Sequence, residues 1–171
     1  RMKDVDFSSV IFVETTGVLV KSSAGLKSAV DLAGKKIAVI GGTTNERALA
    51  NLVKSGKFSA TLVPVKSREE SVSALESGSV DAYASDKLLL MGAKVADPKA
   101  VTILPDDLSF EPYAIVLPRG DANLRLAVNT GLAGVYGSGQ IVQIFQKWFS
   151  QIGLRPGPLM MSVFTLGALP E

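Results

Sequence analysis

The chain has 171 residues, of which 47% are hydrophobic, 20% charged and 6% aromatic, a composition typical of one globular domain or two small lobes. It contains neither Cys nor His, which excludes thiol nucleophiles, histidine general bases and the usual zinc ligands. The formal net charge is +2, and the 18 basic and 16 acidic residues form no run of like charge, so nucleic acid is not an expected partner.

Two long extended runs flank the middle of the chain. They are residues 10–20, which read VIFVETTGVLV, and residues 112–118, which read PYAIVLP. Between them, short runs rich in β-branched residues alternate with amphipathic segments. The pattern predicts strands over 37–40, 61–65, 80–85 and 100–105 and helices over 44–54, 68–76 and 86–94. Strands that alternate with helices of about ten to fifteen residues are typical of βαβ crossovers, so a mostly parallel sheet is predicted.

The alternation of short strands and helices does not continue into the C-terminal part of the chain. Residues 121–149 predict two helices, the first opened by Asp121 and the second running through QIVQIFQKWF. Gly131, Gly134 and Gly137 each cost the first helix about 1 kcal/mol relative to Ala, so this helix depends on tertiary packing. The tail from residue 154 has Pro and Gly breaks around an apolar patch, which needs a surface to lie against.

The stretch after the strand at 37–40 reads GGTTNE, residues 41–46, at the predicted start of a helix. Thr43 and Glu46 have the spacing of a capping box, in which both side chains bond to backbone N–H groups. A helix N-terminus beside glycines also suits an anion. No Lys follows the glycines and the G-x-G-x-x-G spacing is absent, so neither nucleotide motif fits. The turn is either a structural helix start or a site for a small carboxylate.

Two more strand-to-helix turns carry polar residues. Arg68 lies in the first turn of a helix opened by Ser67, where a cation is unfavourable. It is either a solvated side chain or one that faces an anion at the neighbouring turn. Asp86 follows the strand at 80–85 and is either an N-cap or a carboxylate that faces a ligand ammonium. Together the three turns indicate a binding site, because open α/β sheets bind ligands at the carboxyl ends of their strands.

Four motifs stand out along the chain: VDFS at 5–8, GTT at 42–44, ALESGSVDAYASD at 74–86 and GQIVQIFQKWF at 139–149. In order and spacing they resemble the periplasmic solute-binding proteins for polar amino acids (family 3) of ABC importers. The Pro-interrupted tail resembles the glutamate/aspartate-binding branch in particular. The resemblance implies the type II periplasmic-binding fold, which is α/β in three layers with a mostly parallel central sheet. Its two lobes close on a ligand like a hinge.

The resemblance also implies a division of the chain. Residues 1–20 would hold the end of lobe 1 and the first hinge strand, and residues 21–111 a complete lobe 2. Residues 112–120 would be the second hinge strand, and residues 121–171 would return to lobe 1 as its C-terminal helices and tail. By the same comparison, the chain is a fragment that lacks most of the first lobe.

Residue roles follow from the resemblance, position by position. Arg1, four residues before VDFS, corresponds to the arginine that binds the ligand α-carboxylate. A guanidinium suits this role because it can donate two parallel hydrogen bonds to one carboxylate. Asp86 corresponds to the aspartate that receives the α-ammonium. Thr43 and Thr44 correspond to the turn that supplies hydroxyl and backbone N–H donors. Arg68 stands where the family places a basic or polar residue toward the ligand side chain, and a second cation there favours an acidic ligand.

The implied function is that of a non-catalytic, cofactor-free component of an ABC importer. It would capture glutamate or aspartate between two lobes in the periplasm and deliver it to a membrane permease, with a signal peptide that is not in this chain. Two departures leave the exact ligand open: Gly17 stands where the family has a larger residue, and Arg68 where the closest relatives have His.

Two alternatives on the same fold are a ligand-binding module of a receptor or sensor and a dehydratase-like enzyme. Asp86 by itself is a poor general acid, and the last four residues, ALPE, follow no apolar run of the roughly 18 residues that a membrane helix needs. Neither feature favours the alternatives.

The C-terminal helices are expected to expose apolar faces when their lobe is incomplete. The side chains concerned are Leu124, Val128, Leu132, Ile141, Ile144, Phe145 and Trp148. Self-association through helices 121–149, or repacking on the remaining lobe, is therefore expected. Ligand binding by this chain alone should be much weaker than by a complete clamp.

Overall fold

The structure is a computed structural model, and it describes residues 3–169. Within that range it contains six strands and six α-helices. The strands are β1 Val5–Lys21, β2 Lys35–Ile40, β3 Ala60–Val65, β4 Ala82–Asp86, β5 Val101–Ile103 and β6 Phe110–Pro118. The helices are α1 Thr44–Lys54, α2 Arg68–Ser77, α3 Lys87–Ala96, α4 Ala122–Gly137, α5 Gln140–Phe149 and α6 Pro158–Gly167. Short 3₁₀ turns lie at Ser22–Ala24, Ala29–Leu32 and Ser150–Ile152. The two extended runs and the alternation between them are confirmed.

The strands form one mixed sheet in the order β3-β2-β4-β1-β5, and β6 also pairs with β1. β2 runs parallel to both β3 and β4. β1 runs antiparallel to β4 and to β5. Strands β2, β3, β4 and β5 therefore run in one direction, and β1, which lies between β4 and β5, runs in the opposite direction. The prediction of a mostly parallel sheet is confirmed.

The chain divides into two compact units. Unit 1 comprises Arg1–Val13 and Glu111–Glu171, and unit 2 comprises Glu14–Phe110. The predicted lobe limits and hinge roles stay predictions.

Unit 2 has three layers because its strands send alternate side chains to opposite faces of the sheet. In β1, Val18 and Val20 join the cluster that packs around Leu49 of α1. Leu19, between them, joins the opposite cluster with Leu75 of α2 and Leu90 of α3. Each such leucine is almost completely buried, which contributes roughly 1.5–3 kcal/mol relative to exposure. Packing of these apolar faces therefore holds α1 on one side of the sheet and α2 and α3 on the other.

Strand β4 begins two residues later than predicted, at Ala82 and not at residue 80. The reason is the end of α2, where Gly78 adopts the left-handed conformation with φ of +79°. The N–H of Val80 then bonds back to the carbonyl of Ala74 at 3.2 Å, which keeps this residue out of the ladder.

Unit 1 contains a helix that was not predicted. The tail forms α6, which begins with Pro158 at its first position, where a missing N–H is harmless. Met160 and Phe164 of α6 are buried, and the rings of Phe164 and Tyr136 lie 5.4 Å apart. The sequence prediction treated Pro and Gly as breaks, whereas here they mark the ends of a short helix.

Helices α4 and α5 confirm the prediction of two helices over 121–149. Phe145 is buried against Phe12 and Phe149, so this residue does not belong to an exposed face. Trp148 is 69% exposed, and Leu124 and Ile144 are also exposed. Self-association through these helices stays a prediction. Across residues 3–169 no helix is long and apolar enough to cross a bilayer.

Candidate functional site

The three polar turns identified from the sequence all lie in unit 2, at the carboxyl ends of β2, β3 and β4. These strands are mutually parallel, so their carboxyl ends share one edge of the sheet. The helices that follow the neighbours β2 and β4, namely α1 and α3, cover opposite faces. A point where the following helices diverge in this way opens a crevice, which is where α/β sheets bind ligands.

The turn after β2 is a capped helix start. The hydroxyl oxygen of Thr43 accepts from the Glu46 N–H at 3.2 Å, and its proton is donated to the Ile40 carbonyl at 2.6 Å. The Glu46 carboxylate reaches back to the N–H of Gly42 at 2.7 Å, and Gly42 has a φ of +77° that suits glycine. The capping prediction is confirmed. Thr43 can offer a ligand an acceptor oxygen but no proton, whereas Thr44 is exposed at the first position of α1.

The turn after β3 repeats this arrangement. Ser67 accepts from the Glu70 N–H at 3.2 Å, and Glu70 accepts from the Lys66 N–H at 2.7 Å. Arg68, the first residue of α2, turns toward α3 and donates from Nη2 to the Leu89 carbonyl at 3.1 Å. Gly92 leaves room for it, since a Cβ there would lie 3.3 Å from Nη2.

Arg68 also borders a groove of about 630 Å³ between α2 and α3, lined by apolar side chains that include Val72 and Ala93. In this structure the guanidinium of Arg68 bonds through Nη2 to the Leu89 carbonyl of α3. A ligand carboxylate would compete with that carbonyl for the Nη2 donor.

The turn after β4 places Asp86 beside the start of α1. Asp86 occupies the N-cap position of α3, but its side chain makes no capping hydrogen bond. Its Oδ1 accepts instead from Nδ2 of Asn45, the second residue of α1, at 2.8 Å. Asn45 in turn accepts through Oδ1 from the hydroxyl of Thr16 on β1. Both Asn45 and Thr16 are buried.

Glu14 is a buried carboxylate that the sequence prediction did not select. Only 5% of the residue is exposed, and Oε1 accepts from the N–H groups of Thr15 at 2.9 Å and Leu88 at 3.4 Å. The Glu14 carboxylate thus accepts a hydrogen bond in the first turn of α3, where negative charge is favourable. Burial raises the pKa of Glu14, hydrogen bonds from Thr15 and Leu88 act against that shift, and the charge of Asp86 adds to it.

The side chain of Lys87 packs against the backbone at Gly17. Its ammonium donates to Asp107 at 2.8 Å and to the Pro105 carbonyl at 2.9 Å. The aliphatic stem crosses β1 on the way, so a Cβ at Gly17 would lie 3.1 Å from Lys87 Cγ and 3.5 Å from a methyl of Leu90. A side chain at position 17 would therefore need the Lys87 stem to shift by a few tenths of an ångström.

The structure brings together part of the predicted site. Thr43, Thr44 and Asp86 share one edge, Arg68 is directed to α3, and Arg1 lies outside the described residues. Three buried polar residues beside this edge were not selected from the sequence, namely Glu14, Thr16 and Asn45. The first two are polar residues inside the apolar run 10–20, a signal that could have marked them as buried partners. No group of three or more side chains suited to a metal ion occurs among residues 3–169.

A pH dependence follows from Glu14. Because its folded pKa is raised above the ordinary 4.5, the folded chain binds this proton more tightly than the unfolded chain. The resulting stability is complete below pH 4.5 and is lost as the pH rises through the raised pKa. Glu14→Gln keeps an acceptor oxygen without the charge.

We therefore expect the free energy of unfolding of Glu14→Gln, relative to the wild type, to increase as the pH rises over this window. Urea unfolding of both proteins at a series of pH values measures the difference. A difference that is flat with pH would show that the Glu14 carboxylate carries no burial penalty.

The sequence profile described as bacterial extracellular solute-binding proteins, family 3, matches residues 1–151. Among relatives, the L-glutamate/L-aspartate-binding protein of Pseudomonas aeruginosa is 36% identical over 153 residues, which are 88% of this chain and 51% of that protein. The glutamate/aspartate import solute-binding protein of Salmonella typhimurium is 33% identical over 151 residues, 87% of this chain and 50% of that protein. The chain thus spans about half the length of these relatives, which are named as binding proteins and not as enzymes.

Solved structures include an ancestral arginine-binding protein bound to arginine, which is 30% identical to this chain. It superposes with a TM-score of 0.67 over 87% of this chain and 66% of that one.

Proposed function

Because the chain belongs to the bacterial extracellular solute-binding proteins of family 3, we propose that it is part of the substrate-binding component of an ABC amino-acid importer. It would act in the periplasm and present its ligand to a membrane permease. The proposed ligand contacts are Arg1, Thr43, Thr44, Arg68 and Asp86.

One observation carries the proposal: the N-terminus of α1 and the carboxylate of Asp86 are direct neighbours. The bond of 2.8 Å from Asn45 Nδ2 to Asp86 Oδ1 links the first turn of that helix to the end of β4. A helix N-terminus favours a negative group and a carboxylate favours a positive one. Such a pair, side by side, complements the α-carboxylate and α-ammonium of a free amino acid.

An acidic ligand is proposed on two further grounds. The two relatives named above are glutamate/aspartate-binding proteins, although the solved structure carries arginine. Arg68 is a cation at the same edge, and its guanidinium needs to exchange one neutral acceptor, the Leu89 carbonyl, for a ligand carboxylate. That exchange is favourable because hydrogen bonds to a charged partner are about twice as strong as neutral ones.

The test is an NMR titration of the ¹⁵N-labelled chain with L-glutamate, L-aspartate, L-glutamine and L-arginine, which detects weak binding. L-Glutamate and L-aspartate should give saturable shifts in residues 41–46 and 85–88, with affinities roughly tenfold above that of L-glutamine. D-Glutamate, with the same charges and the opposite configuration, serves as the matched control and should bind more weakly. Tightest binding of L-arginine would overturn the acidic ligand, and no saturable shift with any of them would overturn the binding function.

A further inference from the structure

Four polar side chains from four separate segments form a continuous chain of hydrogen bonds that ends at Asp86. The Ser109 hydroxyl, between β5 and β6, lies 2.6 Å from the Thr16 hydroxyl of β1. Thr16 bonds to Asn45 Oδ1, and Asn45 Nδ2 bonds to Asp86 Oδ1. Thr16 is 1% exposed and Asn45 8% exposed, so water does not compete for the bond between them.

The direction of every bond in this chain follows from its last member. A carboxylate accepts hydrogen bonds and donates none, so the amino group of Asn45 must face Asp86 and its carbonyl oxygen must face Thr16. Thr16 has one hydroxyl proton, which it gives to Asn45. Ser109 is therefore the donor to Thr16. All three bonds point toward Asp86, and bonds aligned in this way polarise and strengthen one another.

The backbone holds both ends of this chain in place. The N–H of Thr16 donates to the Ser109 carbonyl at 3.3 Å, and the N–H of Leu108 donates to the Thr16 carbonyl at 2.8 Å. Across the sheet, Thr16 and Asp86 are paired residues of β1 and β4. The Asp86 carboxylate is thus oriented by side chains whose own positions are fixed by the sheet and by α1.

We infer that Asn45 and Thr16 are positioning residues for the amino-acid site, which set the orientation of the Asp86 carboxylate toward the ligand ammonium. The inference rests on the proposed function. A carboxylate that is already oriented binds a cation more tightly, because no side-chain freedom is lost when the ligand arrives. Burying a polar side chain is costly unless it is hydrogen-bonded, and the buried side chains of Thr16 and Asn45 are bonded to each other, with Asn45 bonded to Asp86.

The experiment compares two ligands in NMR titrations of variants. L-Glutamate has the ammonium, and glutarate has the same two carboxylates without it. Asn45→Ala and Thr16→Val should raise the Kd for L-glutamate roughly tenfold and leave the Kd for glutarate unchanged. Thr16→Ser keeps the hydroxyl and should bind L-glutamate as the wild type does. Asn51→Ala, which changes an exposed asparagine on the same helix, is the matched control.

The outcomes separate this inference from the proposed function. If the wild type binds L-glutamate and both Asn45→Ala and Thr16→Val bind it equally well, the positioning role is overturned and the binding function stands. Equal losses for L-glutamate and glutarate also overturn it, since they would mean general damage to the site. If the wild type binds no amino acid, the proposed function fails and the inference with it. Should Asn45→Ala not fold, the comparison of Thr16→Val with Thr16→Ser decides.

Discussion

Asp86→Asn is expected to weaken binding of L-glutamate by at least about thirtyfold. The variant has the same shape, and the side-chain oxygen of the new Asn can still accept from Asn45 Nδ2, as Asp86 Oδ1 does at 2.8 Å. The change therefore removes the negative charge and can keep the bond from Asn45. Removing one partner of a desolvated ion pair costs about 2–5 kcal/mol, which corresponds to thirtyfold or more in the dissociation constant. NMR titration or calorimetry measures the loss.

Asp97→Asn provides the matched control for Asp86→Asn. Asp97 follows the other end of α3, is exposed, and accepts through Oδ1 from the Ala100 N–H at 3.0 Å, a bond that Asn can keep. This variant loses the same charge and should bind L-glutamate as the wild type does. Equal weakening in both variants would indicate an effect of net charge, and unchanged binding by Asp86→Asn would remove Asp86 from the ligand site.

Gly167→Ala is expected to destabilise the C-terminal helices, although Ala is the better helix former. A Cβ at position 167 would lie 2.7 Å from both Cδ2 and Cε2 of Tyr136. The Tyr136 ring cannot withdraw easily, because it is buried, packs on Phe164 and donates its hydroxyl to the Val10 carbonyl at 3.2 Å. Overpacking of this kind costs about 1–3 kcal/mol.

Gly131→Ala and Gly134→Ala in α4 form the control for that variant, because a Cβ at either position meets nothing within 4 Å. Each should raise the free energy of unfolding by up to about 1 kcal/mol. Urea unfolding followed by the fluorescence of Trp148 in α5 compares the three variants. Equal stabilisation by Gly167→Ala and Gly131→Ala would mean that the Tyr136 ring has room to move.

Local features of the sequence were predicted well, because their physical causes lie within a few residues. Runs of β-branched residues separated by amphipathic segments predicted the strands and helices of unit 2. The spacing of Thr43 and Glu46, and of Ser67 and Glu70, predicted two helix starts whose capping bonds span three residues. The helix α6 was missed because Pro158 and Gly167 also have the composition of a loop, and only burial of Met160 and Phe164 in unit 1 makes the segment a helix.

The sequence by itself determined the fold class, the family and the edge of the sheet at which polar turns gather. It could not determine how those turns are connected, since the connecting bonds join residues far apart in the chain. Thr16 and Asn45 are 29 positions apart, Asn45 and Asp86 are 41 apart, and Glu14 and Leu88 are 74 apart.

The bond from Arg68 to the Leu89 carbonyl likewise joins residues 21 positions apart, and a Cβ at Gly92 would lie only 3.3 Å from the Arg68 Nη2. Only the tertiary structure decides such contacts. They form when helices cover both faces of the sheet, because each buried polar group must then hydrogen-bond to a group that the fold places beside it.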